Sequence, residues 1–230
     1  MRRLLAAFII AVSVAASPVA AQWTGTRTGP RPAKIPDNNL SKADLSRATM
    51  RSFSKCVIGV SRQRVINYLD TFPSSKEAFE LANGLSRDDC LVGADLRFSE
   101  KLFRWSAYDE LYNAEFNDHD LTTIATIPET DYVAMTKGLN AEQFQFVAIW
   151  QLGECTVRAA PKAAQTLVRS QIGSSAEEAA IQEILPFVSG CVNKDNELKF
   201  SKAVFRGVMA EALYKLAMKA NGAATARGSN

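Results

Sequence analysis

Histidine, glycine-rich loops and long apolar runs are all scarce in this sequence of 230 residues. Its 12 glycines form no phosphate-cradling loop, and neither a zinc-binding HExxH pattern nor an EF-hand calcium loop occurs. After the first 21 residues, no apolar run reaches the roughly 18 residues that a membrane-spanning helix needs. The sequence therefore predicts no cofactor, no metal site, no catalytic residue and no transmembrane segment in the mature chain.

The single histidine, His119, lies between Asp118 and Asp120 in the polar stretch NDHD. Neighbouring residues in a turn rarely converge on one metal ion, and no cysteine or second histidine stands at ligand spacing. A cysteine nucleophile would also need this histidine as its partnering base. We interpret NDHD as a solvated turn.

The first 21 residues have the three parts of a secretory signal peptide. Arg2 and Arg3 give a basic start, residues 4–14 are almost all apolar, and small residues precede Gln22. We expect cleavage near Ala21, and no cysteine follows it to carry a lipid. The sequence thus predicts a protein that is exported to a bacterial periplasm or secreted.

The mature chain is close to neutral. Removing residues 1–21 takes away two arginines and no acids, so the formal net charge falls from +3 to +1. Without a long run of Lys and Arg, the chain has no feature that attracts a polyanion. We therefore exclude nucleic acid and an anionic membrane surface as partners.

The mature chain has four cysteines: Cys56, Cys90, Cys155 and Cys191. In an exported chain, an even number of thiols predicts disulfides rather than metal or redox chemistry. Four cysteines allow three pairings, and spacing alone does not choose among them.

An internal repeat selects one of the three disulfide pairings. The stretch FSEKLFRWSAYDELY at 98–112 returns as FSKAVFRGVMAEALY at 200–214, with six identities at an offset of 102. Further matches, at offsets that rise from 99 to 101, are Ser41 with Asn140, Cys56 with Cys155, Ser74 with Ser174 and Cys90 with Cys191. Because a duplicated unit forms the same bond twice, the repeat predicts the disulfides Cys56–Cys90 and Cys155–Cys191.

Helix signals repeat along with the cysteines. SKAD at Ser41 and NAEQ at Asn140 resemble capping boxes, and SSKE at Ser74 and SSAE at Ser174 give each copy a second helix start. The repeated stretch at 98–112 is apolar around so much of a helix that we expect it to be central.

A short helical segment also follows the first cysteine of each copy, broken by Pro73 or Gly173. The predicted fold class is all-α, with two tandem pseudo-equivalent bundles of about four helices, each with one internal disulfide.

The predicted organisation is a signal peptide at 1–21, a flexible leader at 22–34, a first helical repeat at 35–118, a linker at 119–126, a second repeat at 127–220 and a disordered tail at 221–230. The leader and the tail lack apolar periodicity. IPE at Ile127 echoes IPD at Ile35 at an offset of 92 instead of 99, so the second repeat carries seven more residues before its first long helix.

Two stretches of the second copy, CTVRAAPKAAQTLVRSQIGSSAEEAA and FRGVMAEALY, resemble segments of uncharacterised secreted proteins of alphaproteobacteria. The first copy departs from this pattern, with FRWSAYDELY where the second has an alanine-rich helix. The resemblance implies a periplasmic family of tandem helical, disulfide-bearing repeats, and it carries no catalytic residue over to this chain.

The repeated helix supplies the candidate binding residues, which are Arg104, Trp105, Tyr112, Arg206 and Tyr214. Each arginine stands eight residues before the matched tyrosine, and Trp105 stands where the second copy has Gly207. These residues could line a ligand groove between the copies. Alternatively, the arginine stems pack on apolar surface with their heads paired to an acid or a carbonyl, and Trp105 fills the core.

Two functions from different classes remain open. The first is a non-enzymatic periplasmic scaffold or binding protein whose groove between the copies engages an envelope protein, a peptide or a lipid. The alternative is an unrecognised envelope hydrolase with carboxylates such as Asp88, Asp89 or Asp118 in a cleft between the repeats. Two carboxylates facing each other across a deep cleft would favour the hydrolase.

Overall fold

All of the regular secondary structure in the described part of the chain is helical. A computed structural model describes residues 39–86, 88–90, 99–118, 120–192 and 200–228, and these residues contain no strand. The α-helices are α1 Lys42–Leu69, α2 Lys76–Asn83, α3 Glu100–Glu115, α4 Tyr132–Met135, α5 Ala141–Ala159, α6 Pro161–Arg169, α7 Ser175–Gly190 and α8 Lys202–Gly228. Short 3-10 helices span Asp88–Cys90 and Leu121–Thr126. The all-α prediction is confirmed, and the predicted signal peptide and leader lie outside the described residues.

Both predicted disulfides are present. Cys56 of α1 bonds Cys90 and Cys155 of α5 bonds Cys191, across sequence separations of 34 and 36 residues. Each bond ties a long helix to residues that follow the next helix or helices of the chain. No free cysteine remains.

Helix starts follow the predicted capping signals at three of four places. Ser41 and Ser174 each accept a hydrogen bond from the backbone N–H three residues later. Asn140 and Gln143 form a complete capping box at the start of α5. The backbone groups that a helix start leaves unpaired are satisfied in this way.

The fourth predicted helix start, at Ser74, is wrong by one residue. Ser75 is the N-cap of α2, because Ser74 has φ +58° and so lies in the left-handed region, outside the extended conformation of an N-cap. Gly173, directly before the N-cap of α7, has φ +77°. The corresponding caps are therefore Ser75 and Ser174, and the offset is still 99 at this point rather than 100.

A break in the helix occurs at corresponding places in the two halves of the chain. Ser61 interrupts α1 with φ −142° and ψ 43°. Ala160 separates α5 from α6 with φ −136° and ψ 58°, again at an offset of 99. Pro161 begins α6, where its missing N–H and fixed φ suit the first turn.

Helices α3 and α8 form the centre of the molecule. They pack against each other more extensively than any other pair of described helices, α1 packs against α3, and α5 packs against α8. Buried residues occur around most of the circumference of α3, as the sequence predicts. One continuous apolar core includes residues from both halves.

Two elements lie where the sequence predicts a linker and a tail. The 3-10 helix Leu121–Thr126 occupies most of the predicted linker, and α8 continues past Ala220 to Gly228. The division of the chain into domains stays a prediction. None of the described helices combines the length and the apolar character needed to cross a membrane.

Candidate ligand-binding site

The two central helices meet at positions that the repeat matches. A Cβ added at Gly207 of α8 would lie only 2.3 Å from the Cβ of Trp105 on α3. The indole therefore occupies the space that the missing side chain of Gly207 leaves, and α8 passes closely over α3 there. This contact explains why the matched residues differ, since only one of the two helices can carry a large side chain at their crossing.

Beside this crossing, Arg206 of α8 is fully paired. Its Nε donates to Asp109 Oδ2 of α3 at 2.6 Å, and its Nη1 donates to Glu177 Oε1 at 3.1 Å. Its Nη2 donates to the backbone oxygens of Val168 at 2.7 Å and Ser170 at 3.0 Å. Every nitrogen of this buried guanidinium has a partner, as a buried charge requires.

The matching pair, Arg104 of α3 and Glu211 of α8, is not saturated. Arg104 Nη2 donates to the backbone oxygen of Leu69, but Arg104 Nε stands 4.0 Å from Glu211 Oε1. Glu211 Oε1 accepts from Lys215 Nζ at 2.7 Å. Among the described residues, Arg104 Nε and Glu211 Oε2 have no hydrogen-bond partner, although both side chains are only 2% exposed. Leaving such groups unpaired costs about 1–3 kcal/mol each.

Arg104 keeps its charge in this setting. Burial works against the charged form, but the electrostatic attraction of neighbouring groups, Glu211 among them, outweighs it and raises the pKa of Arg104 above its usual value. Burial, followed by the charge of Glu211, raises the pKa of the Tyr108 hydroxyl, which stays protonated.

Other atoms of Arg104 and Glu211 line a cavity of 490 Å³, called here the central cavity, which lies between the two halves of the chain. The unpartnered Arg104 Nε and Glu211 Oε2 are closed off from it. Its walls come from the end of α1, from α3, α4 and α5, and from α8. The apolar and aromatic lining includes Phe72, Tyr108, Trp150 and Val208. Cavities of this size and composition are typical of small-molecule sites.

The charges that line the central cavity balance. The basic side chains are Arg104, Lys215 and Lys219, and the acidic ones are Asp70, Glu154 and Glu211. Lys215 Nζ also lies 4.2 Å from the centroid of the Trp150 ring, where the aromatic face attracts the ammonium.

The short helix α4 borders the central cavity and is anchored to Glu154 of α5. Thr130 Oγ1 and the Tyr132 hydroxyl donate to Glu154 Oε2 at 2.6 and 2.7 Å, and Arg158 Nη2 donates to Oε1 at 2.7 Å. Burial favours the neutral acid, but these hydrogen bonds outweigh it and lower the pKa of Glu154 to about 2. Glu154 is therefore a carboxylate anchor at neutral pH. Helix α4 belongs to the stretch in which the second half has extra residues.

A second cavity, of 370 Å³, lies beside the saturated pair and is lined by Arg206, Asp109, Trp105 and Leu102, among others. Its two acids pair with arginines of the same lining, Asp44 with Arg47 and Asp109 with Arg206. Its Lys202 pairs with Glu178 outside the lining. Ser106 Oγ lines it without a hydrogen-bond partner among the described residues.

The structure places the five candidate binding residues in three locations. Arg104 and Tyr214 line the central cavity, and Trp105 and Arg206 line the second cavity. Tyr112 lines neither, and its buried hydroxyl accepts a hydrogen bond from Gln165 Nε2 at 3.0 Å.

Sequence reasoning missed the acids that meet the two arginines. Asp109 and Glu211 stand 102 residues apart, the same offset as the arginines, so the repeat contained the signal. It also missed Trp150, Lys215 and Glu154, which have no matched counterparts of the same chemistry in the first half.

The acids suggested for a hydrolase lie elsewhere. Asp89 and Asp118 are exposed and line neither cavity, and the Asp88 side chain is outside the described residues, as is His119. The described residues contain no cluster of His, Cys, Asp and Glu side chains that could hold a metal ion.

Comparison with family models, with curated proteins and with solved structures finds no match for this chain. The resemblance to secreted alphaproteobacterial proteins stays a prediction.

Proposed function

We propose that this chain is an exported, non-enzymatic binding protein, built from two copies of one disulfide-bonded helical unit, and that the central cavity between the copies binds a small molecule. The observation that carries the proposal is the cavity of 490 Å³ between the two halves of the chain, with its largely apolar and aromatic wall.

Support for two copies comes from features that recur at the repeat offset. The helix break recurs at Ser61 and Ala160, and the second helix start at Ser75 and Ser174. Arg104 binds the backbone oxygen of Leu69 at the end of α1, and Arg206 binds that of Val168 near the end of α6, again at an offset of 99. Each arginine also faces an acid of the other copy. Such reciprocal contacts are those expected of two like units related by a two-fold axis.

Support for export comes from the disulfides together with the predicted signal peptide. Both bonds join cysteines within one copy, and disulfides persist in oxidising compartments such as the periplasm. A periplasmic location is therefore the simplest for the mature chain.

Support for ligand binding comes from the lining of the central cavity. Its wall is mainly apolar and aromatic, with Phe72, Tyr108, Trp150 and Val208 among the lining residues, and a few charged side chains stand between them. A concave space of this size with an apolar wall and few polar groups is typical of the sites in which proteins bind small molecules.

The size of the central cavity favours a small molecule over an envelope protein. A stable protein interface buries on the order of 800 Å² on each partner, whereas this site is a concave space that α4 borders. The hydrolase stays the alternative, because the central cavity holds the carboxylates of Asp70, Glu154 and Glu211. Two of them are bound by basic side chains, Glu154 by Arg158 and Glu211 by Lys215. Glu154, a carboxylate of the cavity wall, is held in its ionised form and is not the proton donor that glycoside hydrolysis needs.

The test is native mass spectrometry of the protein purified from its own host. We expect a bound species on the wild-type protein that a larger side chain at the cavity mouth displaces, in the variant Met218→Trp. The matched control is Leu102→Trp, which enlarges a similarly exposed apolar residue in the second cavity. A bare mass for the wild-type protein, or equal loss of the bound species from both variants, would contradict the proposal.

A further inference from the structure

We infer that residues 129–139, called here the strap, are a gate of the central cavity, and that the strap opens away from α5 and α8 to admit and release the bound molecule. This inference deepens the proposed function and rests on it.

The strap forms one wall of the central cavity. Thr130, Tyr132 and Met135 line the cavity, whereas Val133 does not line it and is 79% exposed. One side of the strap therefore faces the cavity and the other faces solvent.

Both ends of the strap are fixed. Before it, Arg158 of α5 donates from Nη1 to the backbone oxygen of Ile127 at 2.9 Å and from Nη2 to that of Pro128 at 3.1 Å. After it, Asn140 and Gln143 form the capping box that begins α5. A movement of the strap is therefore confined to the residues between these two points.

Between its fixed ends, the strap is loosely packed. None of the residues 128–140 is buried, and α4, the helix within the strap, is a single turn that is too short to be stable alone. Among the described elements, α4 packs substantially only against α5. A segment with so few buried contacts opens at a small part of the free energy that unfolding of the whole protein needs.

Polar contacts hold the strap at the edge of the cavity. Thr130 Oγ1 and the Tyr132 hydroxyl donate to Glu154 Oε2 of α5 at 2.6 and 2.7 Å. Lys219 Nζ of α8 donates to Thr130 Oγ1 at 2.6 Å. Because folding exchanges hydrogen bonds with water for hydrogen bonds within the protein, the net cost of releasing such contacts is modest. The strap is thus held reversibly against both α5 and α8.

The remaining walls of the central cavity are less able to move. They come mainly from the long helices α1, α3, α5 and α8, whose buried side chains belong to one continuous core. Moving one of these helices would expose buried apolar surface to water. Beside the strap, Met135 and Met218 line the cavity and are exposed, so the rim there is open to solvent. The strap is therefore the wall that opens at the lowest cost.

The experiment measures access to the cavity with an engineered thiol. Val208→Cys places the thiol in the wall of the central cavity, and Ser106→Cys places it in the second cavity, at the matching position 102 residues earlier. The four native cysteines are paired, so each variant has one free thiol. The rate of alkylation by iodoacetamide in the folded protein is followed by intact mass spectrometry.

The strap variant combines Thr130→Val with Tyr132→Phe and so removes the hydroxyls that bind Glu154. We expect the thiol of Val208→Cys to react about tenfold faster or more in this variant, because hydrogen bonds to a charged group are lost. The thiol of Ser106→Cys should react at an unchanged rate.

A matched control removes a similar hydroxyl outside the strap. Thr122 Oγ1 donates to Asp120 Oδ2 at 2.7 Å in an exposed turn, and Thr122→Val should leave both alkylation rates unchanged. If Val208→Cys does not fold, Ala212→Cys supplies another thiol in the wall of the central cavity.

The outcomes separate this inference from the function on which it rests. An unchanged rate for the thiol of the central cavity in the strap variant overturns the inference, and native mass spectrometry then judges the small-molecule site by itself. Equal acceleration of the thiols in both cavities also overturns it, because the whole fold and not the strap has then been loosened. Acceleration in the central cavity alone, with a bare mass for the wild-type protein, would leave a movable strap and contradict the proposed function only.

Discussion

Gly207 is the residue of α8 that has no room for a side chain, because the Trp105 side chain occupies that space. We expect Gly207→Ala to lower the free energy of unfolding by about 1–3 kcal/mol, since the added methyl group forces α3 and α8 apart. Denaturant titration measures this change. In the same helix, Gly222 has open space around a Cβ, so Gly222→Ala should stabilise the protein by up to about 1 kcal/mol through helix propensity.

The added Trp105→Gly substitution should remove most of the cost of Gly207→Ala in a double-mutant cycle, because it takes away the Cβ that lies 2.3 Å from the added methyl group. Trp105→Ala keeps this Cβ and should relieve much less of the cost. Equal effects of the two glycine substitutions would contradict the close contact between these helices.

Glu154 makes stability depend on pH in the acidic range. The pKa of Glu154 is lowered to about 2 in the folded protein from an ordinary value of 4.5, so its contribution to stability is present above pH 4.5 and is lost as the pH falls towards 2. We expect it to stabilise the folded state by about 3 kcal/mol at most at neutral pH. Free energies of unfolding measured at intervals between about pH 6 and pH 2 should fall less steeply for Glu154→Gln than for the wild-type protein. Parallel pH profiles would show that the hydrogen bonds from Thr130, Tyr132 and Arg158 do not hold this carboxylate.

At the residue scale, the sequence predicted the cysteine pairs and pointed to both central arginines. Their partners were missed because each arginine meets an acid of the other half, and a local pattern does not contain such a contact. Trp105 and Gly207 were recognised as matched positions, but only the packing of α3 against α8 shows that they touch.

At the scale of elements, the N-cap of α2 is the second serine of the pair Ser74–Ser75, whereas the N-cap of α7 is the first serine of the pair Ser174–Ser175. Ser75→Ala and Ser174→Ala should each lower the free energy of unfolding by about 1 kcal/mol, because each hydroxyl accepts a backbone hydrogen bond in the first turn. Ser175→Ala is the matched control, since this exposed serine is the first residue within α7, and its effect should stay within about 0.5 kcal/mol. If Ser74→Ala lowers the free energy of unfolding more than Ser75→Ala does, the N-cap of α2 is Ser74, as the sequence predicted.

Helix starts could be predicted because a cap depends on a few neighbouring residues. The helix break at Ser61 could not, because nothing in its neighbourhood resembles the Ala-Pro sequence at the matching break. The left-handed conformation of Ser74 could not be predicted either. The corresponding residue of the second half is Gly173, a residue type that adopts this conformation readily, whereas a serine does not indicate it.

At the scale of the whole molecule, the two disulfides are equivalent in sequence but differ in burial. Cys56 and Cys90 are buried, whereas Cys155 is exposed and Cys191 is partly exposed. We expect limiting reductant to open Cys155–Cys191 first, because thiol exchange needs access to a sulfur. Alkylation followed by peptide mass spectrometry measures the order, and in denaturant both bonds should open together.

Loops of 34 and 36 residues make each bond worth about 4 kcal/mol of stability. Faster reduction of Cys56–Cys90 in the native protein would contradict the burial of the first bond.

The central cavity itself was beyond sequence reasoning. It is formed by segments far apart in the chain, and its polar pair consists of one residue from each central helix. The sequence did indicate that a site between the halves would involve the repeated helix, and two of its five candidate residues line the central cavity.

The most direct test of the account is a crystal structure of the oxidised protein purified from its own host. We predict electron density larger than water in the central cavity, against the aromatic wall that Trp150 and Tyr108 form. A central cavity that holds only water, or one that has collapsed, would contradict the account.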